Sequence, residues 1–160
     1  MSIFQVGQMH DKFGFERNKK PGFLSPEIMK MRLNFLLEEL LETAEACGYE
    51  MHMKNDAPYL EFKESPTALK EVSLEKALDG LVDLEVVLLG TADLMGFKNH
   101  VPPDVKSRYG SIWSEAWDRV HQANMTKTRV PKGEIGKRGT SHDLVKPKGW
   151  KAPEFGDLLK

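Results

Sequence analysis

Leu33–Gly48 reads LNFLLEELLETAEACG, and this stretch decides the fold. At about 100° per residue, Leu33, Leu36, Leu37, Leu40, Leu41 and Ala44 share one arc with Met29, so the segment is an amphipathic helix. Ser25 suits the cap, Pro26 the first helical position, and Glu27 the positive end of the dipole. The helix should run to Cys47, with Gly48 as a left-handed stop. Glu38, Glu42 and Glu45 form a stripe beside the apolar arc, with Glu39 about 100° from Glu38. Like charges stacked one turn apart repel by a few tenths of a kcal/mol per pair, roughly. Such a stripe, bordering an apolar arc, lines the edge of a groove. For Glu45 a solvated face is an equal alternative.

A second segment answers the first. Residues 73–96 contain DGLVD at 79–83 and LLGTA at 88–92 within a mostly apolar run. Ser73 is the expected cap and Gly96 the expected end. Apolar residues wrap most of this helix, which should therefore be buried on nearly all sides. Asp79 and Asp83 lie one turn apart in it, and buried carboxylates need cations, strong donors or solvent. Gly80 and Gly90 suggest close helix packing or room for a ligand. About 25 residues join the two helices, which allows antiparallel packing with both acidic sets in one gap. Oxygen-only donors suit Mg²⁺ or Mn²⁺ better than Zn²⁺. The Glu-x-x-His signature of a di-iron bundle is absent from the sequence.

Outward from these helices, a short helix is expected near Ile3–Phe13 and a loop through residues 19–22. Residues 49–72 read as a connector, with a turn at Ser65-Pro66. A third long helix should span about 105–125, with Ile112, Trp113, Ala116, Trp117, Val120 and Ala123 on its apolar face. Trp113 and Trp117 are read as core, since aromatics at helical spacing more often pack than stack on a base. The Gly-, Pro- and Lys-rich segment beyond should be extended, with a small hairpin. The expected architecture is all-α: a bundle of three to five helices with an irregular C-terminal tail, assembled as an oligomer. Residues 1–128 would form the domain and 129–160 its basic extension.

The chain has 160 residues and a net charge of −1, which points to neither nucleic acid nor an acidic membrane as partner. The charge is uneven. Residues 126–160 hold 9 Lys or Arg and 4 Asp or Glu, so a basic tail follows an acidic body. Cys47 is the single cysteine, and the N-terminus lacks the apolar run of a signal peptide. A reducing cytoplasm is the expected setting. His10, His52, His100, His121 and His142 form no ligand spacing and are read as structural or exposed.

EELLE at 38–42, DGLVD, LLGTA and ANMTK at 123–127 together resemble the MazG-like all-α NTP pyrophosphohydrolases. That superfamily includes phosphoribosyl-ATP pyrophosphohydrolase and the dimeric dUTPases. The tail, with Gly136-Lys137 and Lys146-Pro147-Lys148-Gly149-Trp150-Lys151-Ala152-Pro153, resembles phage-encoded members, for which the setting would be a host cytoplasm. The family pattern is Glu-x-x-Glu followed by Glu-x-x-Asp. Glu39, Glu42 and Asp83 match it, whereas Gly80 stands in place of the second motif's glutamate. Asp79 is the substitute on the same face, and Glu38 is a reserve ligand.

The resemblance implies Mg²⁺-dependent cleavage of a nucleoside triphosphate to monophosphate and pyrophosphate by a homodimer or homotetramer, with dGTP or GTP favoured. Glu38 or Glu39 would take the proton of the water that attacks the α-phosphorus, while Mg²⁺ on the carboxylates offsets the phosphate charge. Lys127 would contact the phosphates and Asn124 the sugar or a phosphate, with Arg129 and Lys137 as further cations and Asn34 as a sugar or base contact. Two other classes fit the same residues: a nucleotide sensor without turnover, and an assembly module whose acidic stripe meets a basic partner.

Overall fold

The computed structural model describes residues 2–54, 57–62 and 72–160. Four α-helices dominate: α1 (Ile3–Phe13), α2 (Pro26–Ala46), α3 (Leu74–Leu94) and α4 (Ile112–Met125). Two small antiparallel sheets accompany them, β1 (Tyr49–Lys54) with β2 (Ala57–Phe62) and β3 (Thr128–Arg129) with β4 (Leu144–Val145). A 3₁₀ turn, Gly156–Leu159, ends the chain. The fold is thus mostly α, with four helices within the expected three to five, and the β1–β2 pair is the addition not expected. Two compact units emerge, Met1–Gly96 and Phe97–Lys160. The boundary at 128/129 read from the sequence falls inside β3.

In the first unit the local signals act as expected. Ser25 Oγ accepts from the backbone N–H of Ile28, and Ser73 Oγ from that of Lys76. Gly48, at φ 85°, takes the left-handed turn after α2. Helix α1 buries Ile3, Val6, Gly7 and His10, an i, i+3, i+4, i+7 face, and packs on α3. The loop after α1 serves the end of α3. The N–H groups of Asn18 and Gly22 donate to the carbonyls of Leu94 and Met95, which a helix end leaves without intrahelical partners.

Two contact points fix α2 against α3. Near one end, Arg32 Nε donates to Thr91 Oγ1 at 3.1 Å and Arg32 Nη2 to the Val87 carbonyl at 2.7 Å. Near the other, a Cβ on Gly80 would press on Thr43, whose Cα would be 3.3 Å away. Residue 32 meets 87 and 91 while residue 43 meets 80, so the helices run antiparallel. The pins lie 11 residues apart along α2, about 16 Å. Gly80 therefore serves close packing, one of the two roles read for it.

Three expectations are corrected. Residues 49–54 and 57–62 form an antiparallel β pair rather than a connector, with Tyr49 opposite Phe62 and Lys54 opposite Ala57. The turn expected at 65–66 lies outside the described residues. Helix α4 starts at Ile112, seven residues later than expected. The N–H groups of Ile112 and Trp113 are taken by the carbonyls of Asn99 and Phe97, Gly110 sits at φ 78°, and Ser111 caps the helix through Ser114. Third, α3 is only half-buried. Leu89–Leu94 are inside, whereas Leu78 is 63% and Leu81 57% exposed.

The second unit is tied by Arg119 of α4. Its guanidinium bonds both carboxylate oxygens of Asp157 at 2.7 Å and also Glu115 at 3.1 Å. Leu158 is fully buried beside this fork. The expected extended segment and small hairpin are present as β3 and β4.

Candidate metal centre

The antiparallel register dictates which acids meet. Between the Arg32 and Thr43 pins, residue 39 of α2 falls across from residue 83 of α3. Glu39 and Asp83 are the half-buried acids of the set, whereas Glu38, Glu42, Glu45 and Asp79 are exposed. The Glu39 carboxyl is held above its ordinary range, first by desolvation, then by the charge of Asp83, and then by Glu42, Glu38 and Asp79. Five carboxylates thus share one electrostatic neighbourhood drawn from two helices. Asp79 opens onto a groove lined by Ser73, Lys76, Leu78 and Val82. Glu45 opens onto another, with Leu41, Tyr49 and Met51.

As the side chains stand, no group of three or more His, Cys, Asp or Glu among the described residues is gathered tightly enough to hold a metal ion. The donor chemistry nonetheless fits a hard cation: all five groups present carboxylate oxygen. A divalent ion would offset the mutual repulsion of these charges.

The remaining candidate residues fall elsewhere. Asn34 is exposed on α2, one turn before Glu38. In the second unit, Asn124 and Lys127 are together: Lys127 Nζ donates to Asn124 Oδ1 at 2.7 Å. Arg129 is exposed on β3, and Lys137 is exposed in the segment between β3 and β4.

The sequence reading missed the polar core behind α1. His10 Nδ1 and Asp93 Oδ2 are 2.7 Å apart, with both residues buried and Arg17 Nε 3.3 Å from the same oxygen. The signal was Asp93 in the apolar run LLGTADLMG, where a buried acid demands a cationic or donor partner. His10 is structural, as read. His100, His121 and His142 are exposed. Trp117, read as core, is 68% exposed. Trp113 is half-buried.

Neither protein-family models nor curated proteins match this sequence. Among the described residues no helix is long and apolar enough to cross a membrane.

Proposed function

We propose that the chain is a Mg²⁺-dependent nucleoside triphosphate pyrophosphohydrolase, converting a (d)NTP and water to a (d)NMP and pyrophosphate. The observation that carries this reading is the meeting of Glu39 and Asp83 across α2 and α3, close enough to Glu42, Glu38 and Asp79 for their charges to raise the Glu39 pKa. Glu39, Glu42, Asp79 and Asp83 would hold the cation, with Glu38 in reserve. Bound Mg²⁺ supplies charge neutralisation on the phosphates and a more acidic water. Glu39 or Glu38 would accept the proton of the attacking water. Asn34 of α2 would be a further substrate contact, and the family resemblance alone assigns phosphate and sugar contacts to Lys127, Asn124 and Arg129 of the second unit. The preference for dGTP or GTP follows from the family resemblance.

A homodimer or homotetramer belongs to the same proposal. Leu37, Leu40, Leu78 and Leu81 are each at least two-fifths exposed on α2 and α3, and apolar surface of that kind marks an interaction face.

The test is phosphate release, with added pyrophosphatase, across the eight common NTPs and dNTPs. Turnover that stops with EDTA, and falls about 100-fold or more in Glu42→Gln and Asp83→Asn, is the expected result. Full activity in either variant would remove the site. Equal rates on all eight substrates would remove the guanine preference.

A further inference from the structure

Strands β3 and β4 set two lysines face to face. Thr128 pairs with Val145 and Arg129 with Leu144, so one step outward the same register places Lys127 opposite Lys146. Like charges directly opposite each other destabilise an antiparallel pair. Both ammonium groups nevertheless turn to one indole: Lys146 Nζ is 4.2 Å and Lys127 Nζ 5.2 Å from the centre of the Trp150 ring. The ring itself is anchored. Trp150 Nε1 donates to the Ala123 carbonyl at 3.0 Å, and the Trp150 backbone N–H donates to that of Pro147.

The end of α4 accounts for only one of these charges. Lys127 follows the helix C-terminus, where the dipole favours a cation, and it bonds Asn124. Lys146 arrives from the other strand. An indole face attracts cations but carries no neutralising charge. Among the described residues no carboxylate pairs with either ammonium group. Two ammonium groups therefore approach one anchored aromatic ring.

We propose that Lys127, Lys146 and Trp150 form a binding site for a diphosphate group, with one ammonium for each of the two linked phosphates. A single phosphate engages one lysine well, whereas a diphosphate engages both and cancels their repulsion. The hydrolase reading supplies two sources, the outer phosphates of a nucleoside triphosphate and released pyrophosphate, and only the choice of source rests on that reading.

Calorimetry on the full chain in EDTA, with inorganic pyrophosphate and orthophosphate as probes, tests the site apart from catalysis. Pyrophosphate should bind without metal, and orthophosphate about tenfold more weakly or worse. Lys146→Gln should weaken pyrophosphate about tenfold, while Lys146→Arg retains it. Lys146 is exposed, so the fold should survive, with circular dichroism as the check. Trp150→Phe should keep most of the affinity. Absent pyrophosphate binding, or a Lys146→Gln variant equal to the parent, overturns the proposal. So does tighter binding of a single-stranded oligonucleotide with the same loss in Lys146→Gln, which would make this a nucleic-acid surface. Competition by a non-hydrolysable NTP but not by an NMP supports the site with substrate as its source; no competition by either supports it with product as its source. A protein that binds pyrophosphate yet hydrolyses no nucleotide keeps this site and sinks the hydrolase reading.

Discussion

Glu39 is the residue on which the acidic site turns. Its folded pKa lies above the ordinary value of 4.5, so the folded state binds the proton more tightly than the unfolded chain. The stability cost is then fully present above the folded pKa and disappears as pH falls below 4.5. Glu39→Gln should raise the melting temperature of metal-free protein at pH 7, with the gain shrinking towards pH 4.5. Added Mn²⁺ should stabilise the parent more than the variant. Equal Mn²⁺ shifts in both would show that Glu39 is not part of the ion's shell. The sequence showed Glu39 only as one acid among several, because the helical wheel gives angle and not depth. Depth came from the partner helix. Asp93 stood out as an acid in an apolar run, but its partners did not, because His10 and Arg17 lie more than 70 residues away in the chain.

At the scale of elements, the Gly80–Thr43 crossing sets how near α2 and α3 approach. A methyl at residue 80 would meet the Thr43 side chain and backbone. Gly80→Ala should therefore destabilise the fold by about 1–3 kcal/mol in urea titration, and Thr43→Ala in the same chain should recover part of the loss. Unchanged stability in Gly80→Ala would mean that the helices separate at no cost. The Arg119–Asp157 fork makes a second element-scale prediction. Arg119 first, against a smaller opposing effect of burial, holds the Asp157 carboxyl below its ordinary value of 3.8. Its contribution is thus complete above that value and is lost as pH falls through the depressed folded pKa. Asp157→Asn should lower the melting temperature at pH 7, and the gap to the parent should narrow in acid; a gap that does not change with pH would exclude the ion pair as its cause. Helices α2 and α3 were legible because Ser25, Ser73, Pro26, Gly48 and Gly96 are local signals. The first sheet was legible in part and passed over: Tyr49–Lys54 alternates apolar and polar residues strictly, a strand signal, whereas Pro58 in its partner argues against a strand. The start of α4 carries the same kind of local signal, Gly110 and a Ser111 cap, which the expected start near residue 105 overlooked; the Phe97 and Asn99 carbonyls that also hold it are non-local.

For the whole molecule, α3 was read correctly as apolar and wrongly as buried on nearly all sides within one copy. One copy of the chain leaves Leu78 and Leu81 largely uncovered. On the oligomeric reading these leucines are covered by another copy. Sedimentation should show a dimer or tetramer, and Leu78→Glu with Leu81→Glu should shift it towards monomer while circular dichroism holds. A parent chain that sediments as a monomer at high concentration would end that reading. On that reading, self-association would also tie the protein's endurance to its abundance. Each tenfold dilution of a dimer removes about 1.4 kcal/mol of the free energy favouring the associated form. Heat resistance should then fade in dilute samples, so that scarcity alone would shorten the working life of each copy.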